Sequence, residues 1–119
     1  MSKRSTHEVF ERHLELRKQG KLEEDIRQNY AGDCVLLTSY GVFHGHDGVR
    51  ESAEILNRHV PEGNYHYNTK HVHEDTAFLV WSAQTESVSI QNGADSFVIR
   101  DGLIRVQTIS YTLIVPPQP

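Results

Sequence analysis

Ala94-Asp95-Ser96-Phe97-Val98-Ile99-Arg100-Asp101-Gly102-Leu103-Ile104 is the stretch whose reading decides the fold. Asp-Gly supplies the positive φ angles that a two-residue turn needs, so Asp101-Gly102 joins two antiparallel strands. Alternation puts Asp95, Phe97 and Ile99 on one face and Ser96, Val98 and Arg100 on the other. The first face is the more apolar and is assigned to the core. A carboxylate at its end is partly desolvated, which raises its pKa and can keep it protonated as a hydrogen-bond donor. The other placement for Asp95 is the frayed start of its strand, in water. The short loop pairs Arg100 with Leu103, Ile99 with Ile104, Phe97 with Val106 and Asp95 with Thr108. In that register Thr108 and Ser110 share the Asp95 face. A bulge in the last strand would bring Gln107, Ile109 and Tyr111 there instead.

Working outward, Leu103 to Val115 is the final strand, and Thr76 to Ser89 reads as a long strand around Phe78-Leu79-Val80-Trp81. Gln91-Asn92-Gly93 is read as the turn after it. Asn64 to His73 alternates, with Tyr65, Tyr67 and Thr69 on one side and His66, Asn68 and Lys70 on the other. Upstream, Ser5-Thr6-His7-Glu8 fits a capping box, and Val9, Phe10, His13, Leu14 and Leu16 follow at helical spacing until Gly20. A second helix is predicted over Leu22 to Tyr30 and a third over Asp47 to His59. Cys34 to Thr38 and Tyr40 to Phe43 form a small hairpin between them. Helices followed by a run of antiparallel strands mean an α+β fold, in which the helices cover one face of the sheet. A cavity between helices and a curved sheet is a place where small-molecule sites form.

The 119 residues suffice for one core, so a single domain over 1–119 is expected, with its core at about 6–113 and a frayed tail over 114–119. A net charge of -4 argues against a nucleic-acid partner. No apolar run is long enough to span a membrane, and Met1-Ser2-Lys3-Arg4 leads into a polar segment rather than a signal-peptide core, so a cytoplasmic location is expected. Cys34, the single cysteine, is read as a small core residue.

His13 lies on the apolar stripe of the first helix, where burial favours a neutral imidazole able to donate or accept. It is read either as a core histidine bonded to a carbonyl or as a site residue. Leu79, Trp81 and Ala83 share one face of the central strand, with Val80, Ser82 and Gln84 on the other. Leu79 and Trp81 are costly in water, which favours a homodimer through the back of the sheet; the other reading makes Trp81 core. His44-Gly45-His46 with Glu51, and His71-Val72-His73, imitate metal-ligand spacing. The glycines that such a motif needs are replaced by Thr38 and Arg58, and Glu51 falls in a helix. No metal and no cofactor are therefore expected. Neither a nucleophile elbow nor a phosphate-binding glycine loop occurs.

Several pieces in order, among them Gln19-Gly20-Lys21-Leu22, Tyr30-Ala31-Gly32-Asp33, Gly41-Val42-Phe43-His44-Gly45 and Thr76-Ala77-Phe78-Leu79-Val80-Trp81, lead into the 94–104 stretch. From about Thr6 to Leu113 the chain resembles the nuclear transport factor 2-like superfamily, in its SnoaL-like and ketosteroid-isomerase-like branch. The resemblance implies a cone: helices packed in a strongly curved mixed or antiparallel sheet, with a pocket at the open end and frequent dimerisation. It makes Asp95 the match to an aspartic acid that donates to a developing oxyanion, and puts His13 where the isomerase has a tyrosine. The isomerase base falls at Thr38, which cannot serve as a base near neutral pH. Tyr111 lies near an aromatic pocket position, and Gln107 lines the pocket if the bulge exists.

The candidate site is therefore Asp95 and His13 as an acid–base pair, with Tyr30, Ser82, Phe97, Gln107 and Tyr111 binding a small apolar or aromatic molecule. The expected function is a SnoaL-like pocket acting as a cofactor-independent isomerase, cyclase or dehydratase. The alternative is a non-catalytic ligand-binding module, or a dimeric scaffold module whose cone is filled by Tyr30, Tyr65 and Tyr67.

Overall fold

A computed structural model describes residues 3–115. The helix α1 spans Thr6–Lys18 and α2 spans Leu22–Asn29; strands β1 (Tyr30–Thr38) and β2 (Gly41–His44) precede α3 (Gly45–His59). Strands β3 (Asn64–His73), β4 (Thr76–Gln84), β5 (Ser89–Arg100) and β6 (Leu103–Ile114) complete the chain. All six strands form one sheet in the order β2-β1-β6-β5-β4-β3. The β1–β6 pair is parallel, the chain passing through β2, α3, β3, β4 and β5 before it returns; the other neighbours are antiparallel. The architecture is α+β, as the sequence indicates, and mixed in strand direction. Pro116 to Pro119, read as the end of a frayed tail, lie outside the described residues.

Local chemistry sets the elements. Ser5 Oγ accepts from the Glu8 amide at 3.1 Å and the Glu8 carboxylate accepts from the Ser5 amide at 2.9 Å, which closes the capping box and starts α1. Val9, Phe10, Leu14 and Leu16 are fully or almost fully buried along its inner side. Asp101 and Gly102 both have positive φ, 54° and 75°, as a tight turn between twisted strands requires.

The sheet curves because its long strands carry bulges. The pairs Arg100–Leu103 and Ile99–Ile104 form as expected, but Arg105 is extruded. Beyond it Val98 faces Val106, Phe97 faces Gln107 and Asp95 faces Ile109. The pairings of Phe97 with Val106 and Asp95 with Thr108 are therefore replaced, and Gln107, Ile109 and Tyr111 turn to the inner face. A second bulge at Asn68 in β3 sends Thr69 outward and Lys70 and Val72 inward, so Thr69 does not continue the Tyr65–Tyr67 face.

Gln91-Asn92-Gly93 is a third irregularity, inside β5 rather than between strands. The chain reverses earlier, where the Thr85 amide bonds the Val88 carbonyl at 2.8 Å. Asn92 takes a left-handed φ of 56°. Gly93 lies under the Trp81 indole: a Cβ there would stand 2.5 Å from the ring atoms Cδ2 and Cε2. Trp81, Leu79 and Ala83 face the helices and are buried, so Trp81 belongs to the core and gives no argument for a dimer. Cys34 is likewise buried.

Gly93→Ala should therefore displace the chain's single tryptophan and cost about 1–3 kcal/mol by overpacking. A red-shifted emission maximum together with a lower urea midpoint checks this; an unchanged spectrum would show that the indole does not need the glycine.

Candidate active site

Between the helices and the inner face of the sheet lies a cavity of about 490 Å³. Leu14, Leu36, Leu56, Leu79 and Ile109 are among its apolar lining residues. Aromatic rings form one wall: Tyr65 and Trp81 have centroids 5.9 Å apart, Trp81 and Tyr111 5.6 Å, and Tyr111 and Tyr40 5.7 Å. The Tyr111 hydroxyl and His59 Nδ1 share a hydrogen bond of 2.7 Å. Tyr65 and Tyr67 line the cavity without filling it.

Asp95 reaches this space from β5 and is 8% exposed. Trp81 Nε1 donates to its Oδ1 at 2.9 Å, and Gln107 Nε2 donates to its Oδ2 at 3.0 Å. Both partners are neutral. Burial dominates over these bonds and pushes the carboxyl up to about 6.

The bond from Gln107 belongs to a directed chain. Arg17, which can only donate, reaches the Tyr30 hydroxyl from Nη2 at 3.4 Å. Tyr30 then donates to Gln107 Oε1, leaving the Gln107 amide N–H to face Asp95. Every donor points toward Asp95, so the arrangement suits a carboxylate that accepts. The resemblance makes Asp95 a donor to a ligand; toward Trp81 and Gln107 it accepts.

His13 also lines the cavity, from α1. It is not hydrogen-bonded to Asp95. Its Nδ1 lies 2.7 Å from Oδ2 of Asp25, an acid that the sequence reading passed over. Arg17 Nε donates to the same oxygen at 2.7 Å, and Asn29 Nδ2 donates to Oδ1 at 2.7 Å. Burial works to raise the Asp25 carboxyl, but His13, Arg17 and Asn29 together outweigh it and hold the group at about 2. Arg4 extends the cluster, donating to Asn29 Oδ1 at 2.8 Å and to the Gly102 carbonyl at 2.9 Å. Asp25 was hidden in the acidic run Glu23-Glu24-Asp25, which reads as a solvated first turn. Its spacing of one and four residues to Ile26 and Asn29, both buried, was the available signal.

The His13–Asp25 bond orients the ring. An ionised carboxylate on Nδ1 keeps a proton there, so Nε2 of the neutral ring is an acceptor. Nε2 has no hydrogen bond among the described residues, and no buried side-chain nitrogen or oxygen lacks a partner there. It is therefore open to the cavity that the ring lines.

The remaining assigned residues divide. Gln107 and Tyr111 line the cavity with Asp95 and His13. Tyr30 is buried behind Gln107 and orients it without touching the cavity. Phe97 packs beneath, its ring centroid 5.2 Å from His13 and 5.4 Å from Phe10. Ser82 is on the opposite face, accepting from Asn68 Nδ2 at 3.2 Å, because it alternates with the inward Trp81. Thr38 lines the cavity, but its hydroxyl is occupied by the Tyr40 amide and the Gly41 carbonyl. The histidine pairs do not converge: His44 ends β2 and His46 bonds the Tyr30 carbonyl, while His71 and His73 are exposed. Among the described residues no group of three or more His, Cys, Asp or Glu side chains could hold a metal ion.

No family model matches the chain. No curated protein matches it either. Solved structures do. A candidate ketosteroid isomerase from Kribbella flavida DSM 17836 superposes with a TM-score of 0.74 at 14% identity, over 96% of this chain and 82% of that one. A candidate polyketide cyclase from Sinorhizobium meliloti gives 0.66 at 16% identity, over 86% of this chain and 93% of that one. An NTF2-like protein of unknown function from Mesorhizobium loti gives 0.73 at 18% identity, over 94% and 96%. At these identities the likeness concerns the fold.

Removing the Asp25 carboxylate strands three partners, His13, Arg17 and Asn29. Asp25→Ala should cost about 3–5 kcal/mol in urea unfolding at pH 7. The sign with pH follows from the lowered value: the Asp25 contribution is complete above about pH 4 and is lost as the pH falls toward 2. A variant within about 1 kcal/mol of wild type at pH 7 would contradict this role.

Proposed function

We propose, for a chain with the cone fold of the nuclear transport factor 2-like superfamily, a cofactor-independent proton-transfer enzyme of the isomerase, cyclase or dehydratase kind, acting on a small apolar or aromatic molecule. The observation that carries this reading is Asp95: a carboxylate in the cavity wall, partnered only by neutral donors, with its carboxyl at about 6. Near neutral pH such a group is largely ionised yet close enough to its pKa to take and return a proton.

In this reading Asp95 removes a proton from carbon next to a carbonyl. The bonding pair moves onto the carbonyl oxygen as an enolate. The proton returns from Asp95 to another carbon of a conjugated enolate, or the enolate carbon attacks a second carbonyl carbon to close a ring, and the π pair of that carbonyl moves onto its oxygen, which takes the proton from Asp95. In a dehydration, Asp95 takes the proton from the carbon next to the carbonyl, and His13, protonated at Nε2 from solvent, gives that proton to the hydroxyl, which departs as water, with Asp25 holding the ring in place. The structures named as a candidate isomerase and a candidate cyclase support this class of chemistry by fold.

A second reading is binding without turnover. Thr38 favours it, since its hydroxyl at the isomerase-base position is committed to a turn. The two separate on one experiment. In D2O, wild type should exchange the α-protons of a steroid-sized cyclic ketone faster than buffer, followed by proton NMR. Asp95→Asn should lower the rate roughly 100-fold or more, and His13→Gln should lower it less. Saturable binding with exchange no faster than buffer would leave the binding module.

We also propose a homodimer through the back of the sheet, on different grounds from Trp81. Across that face the register aligns Val42, Leu37, Thr108, Ser96 and Phe78, a row without charge. Val42, Leu37 and Phe78 are 57%, 44% and 40% exposed. A two-fold axis on such a row makes it self-complementary. Sedimentation of wild type should give a dimer mass, and Leu37→Lys with Phe78→Lys a monomer; a monomeric wild type would remove the proposal.

A further inference from the structure

Arg17 has a donor edge that the protein does not use. Nε is committed to Asp25 and Nη2 to Tyr30, while Nη1 has no acceptor among the described residues. The side chain is 25% exposed and lines the cavity. Since no buried side-chain nitrogen lacks a partner there, Nη1 is open to that space. The Asp25 charge facing Arg17 is shared with His13 and Asn29. Lys18, next in the chain, also lines the cavity. Its Nζ stands 5.2 Å from the Tyr67 ring centroid, and none of the ion pairs among the described residues includes it. Cations in the last turn of a helix offset its dipole, which accounts for their sign but not for Arg17 turning inward with a free edge.

We propose that the ligand is an amphipathic carboxylate, its anionic oxygens on Arg17 Nη1 with Lys18 beside them and its apolar body along the Tyr65–Trp81–Tyr111 wall. This rests on the reading of the cavity as a ligand site and adds the chemical class. The charged N–H donors of Nη1 suit a carboxylate oxygen, with the Lys18 ammonium beside it. A dianionic phosphate would bring more charge toward Asp95 than one free edge and one lysine offset. The carboxylate anchors the ligand at the α1 wall.

Calorimetric titration with a matched pair, 2-naphthoate and the uncharged 2-naphthamide, tests this. Wild type should bind naphthoate roughly tenfold tighter or more, a preference that shrinks with added salt. Arg17→Gln should abolish the preference. Arg17→Lys, which keeps a charge beside Asp25, should reduce it, and Lys18→Gln, on an exposed side chain, should weaken it severalfold; these two carry the test if Arg17→Gln does not fold. Equal affinities in wild type would overturn the carboxylate assignment and leave the cavity reading standing. A preference that survives at full size in Arg17→Lys and Lys18→Gln would overturn it as well. Failure of both probes to bind would overturn the assignment together with the cavity reading.

Discussion

Two carboxylates are buried in one small cone, and the way each is compensated organises everything around them. Asp25 has charged company in Arg17, which shares one of its oxygens with His13, and Asn29 takes the other. Asp95 has two neutral N–H donors, from Trp81 and Gln107. The same burial therefore ends in opposite results, about 2 for one carboxyl and about 6 for the other. The first is a fixed charge that ties α1 to α2. The second is a proton acceptor in the range where exchange is useful. Placing titratable groups in environments that push their pKa values apart is how one fold assigns structural and chemical work to the same residue type.

The two are connected. Arg17 binds Asp25 with one nitrogen and Tyr30 with another, and Tyr30 sets the Gln107 amide that faces Asp95. Because Arg17 cannot accept, the direction of every bond in this path is determined at its start. The helix pair thus fixes which end of an amide is presented across the sheet. The bulge at Arg105 is what allows Gln107 to take part, since it turns that side chain to the inner face. Backbone geometry in β6 and charge pairing on α1 meet at one carboxylate.

Much of this was legible in the sequence. Alternation placed Asp95 and Phe97 on the core face, and helical spacing buried His13. The capping box and the Asp-Gly turn mark their elements because each depends on a few adjacent residues. The bulges were not legible. An extruded Arg105, or Asn92-Gly93 within a strand, is decided by how neighbouring strands coil, and Asn-Gly reads locally as a turn. Asp25 escaped for a related reason: its partners are 4, 8 and 12 residues away on two helices, and only their packing makes an acidic run a buried anchor. Ser82 was misplaced because one alternating strand leaves open which face looks inward until Trp81 is seen against Gly93.

The most direct measurement is a carbon-13 NMR titration of the aspartate carboxyls in wild type, assigned with Asp95→Asn and Asp25→Asn. The account requires the Asp95 resonance to titrate near pH 6, and the Asp25 resonance to stay that of an ionised group down to about pH 2. An Asp95 that titrates near 4, like a solvated aspartate, would contradict it, because the cavity would then hold no group poised to exchange a proton.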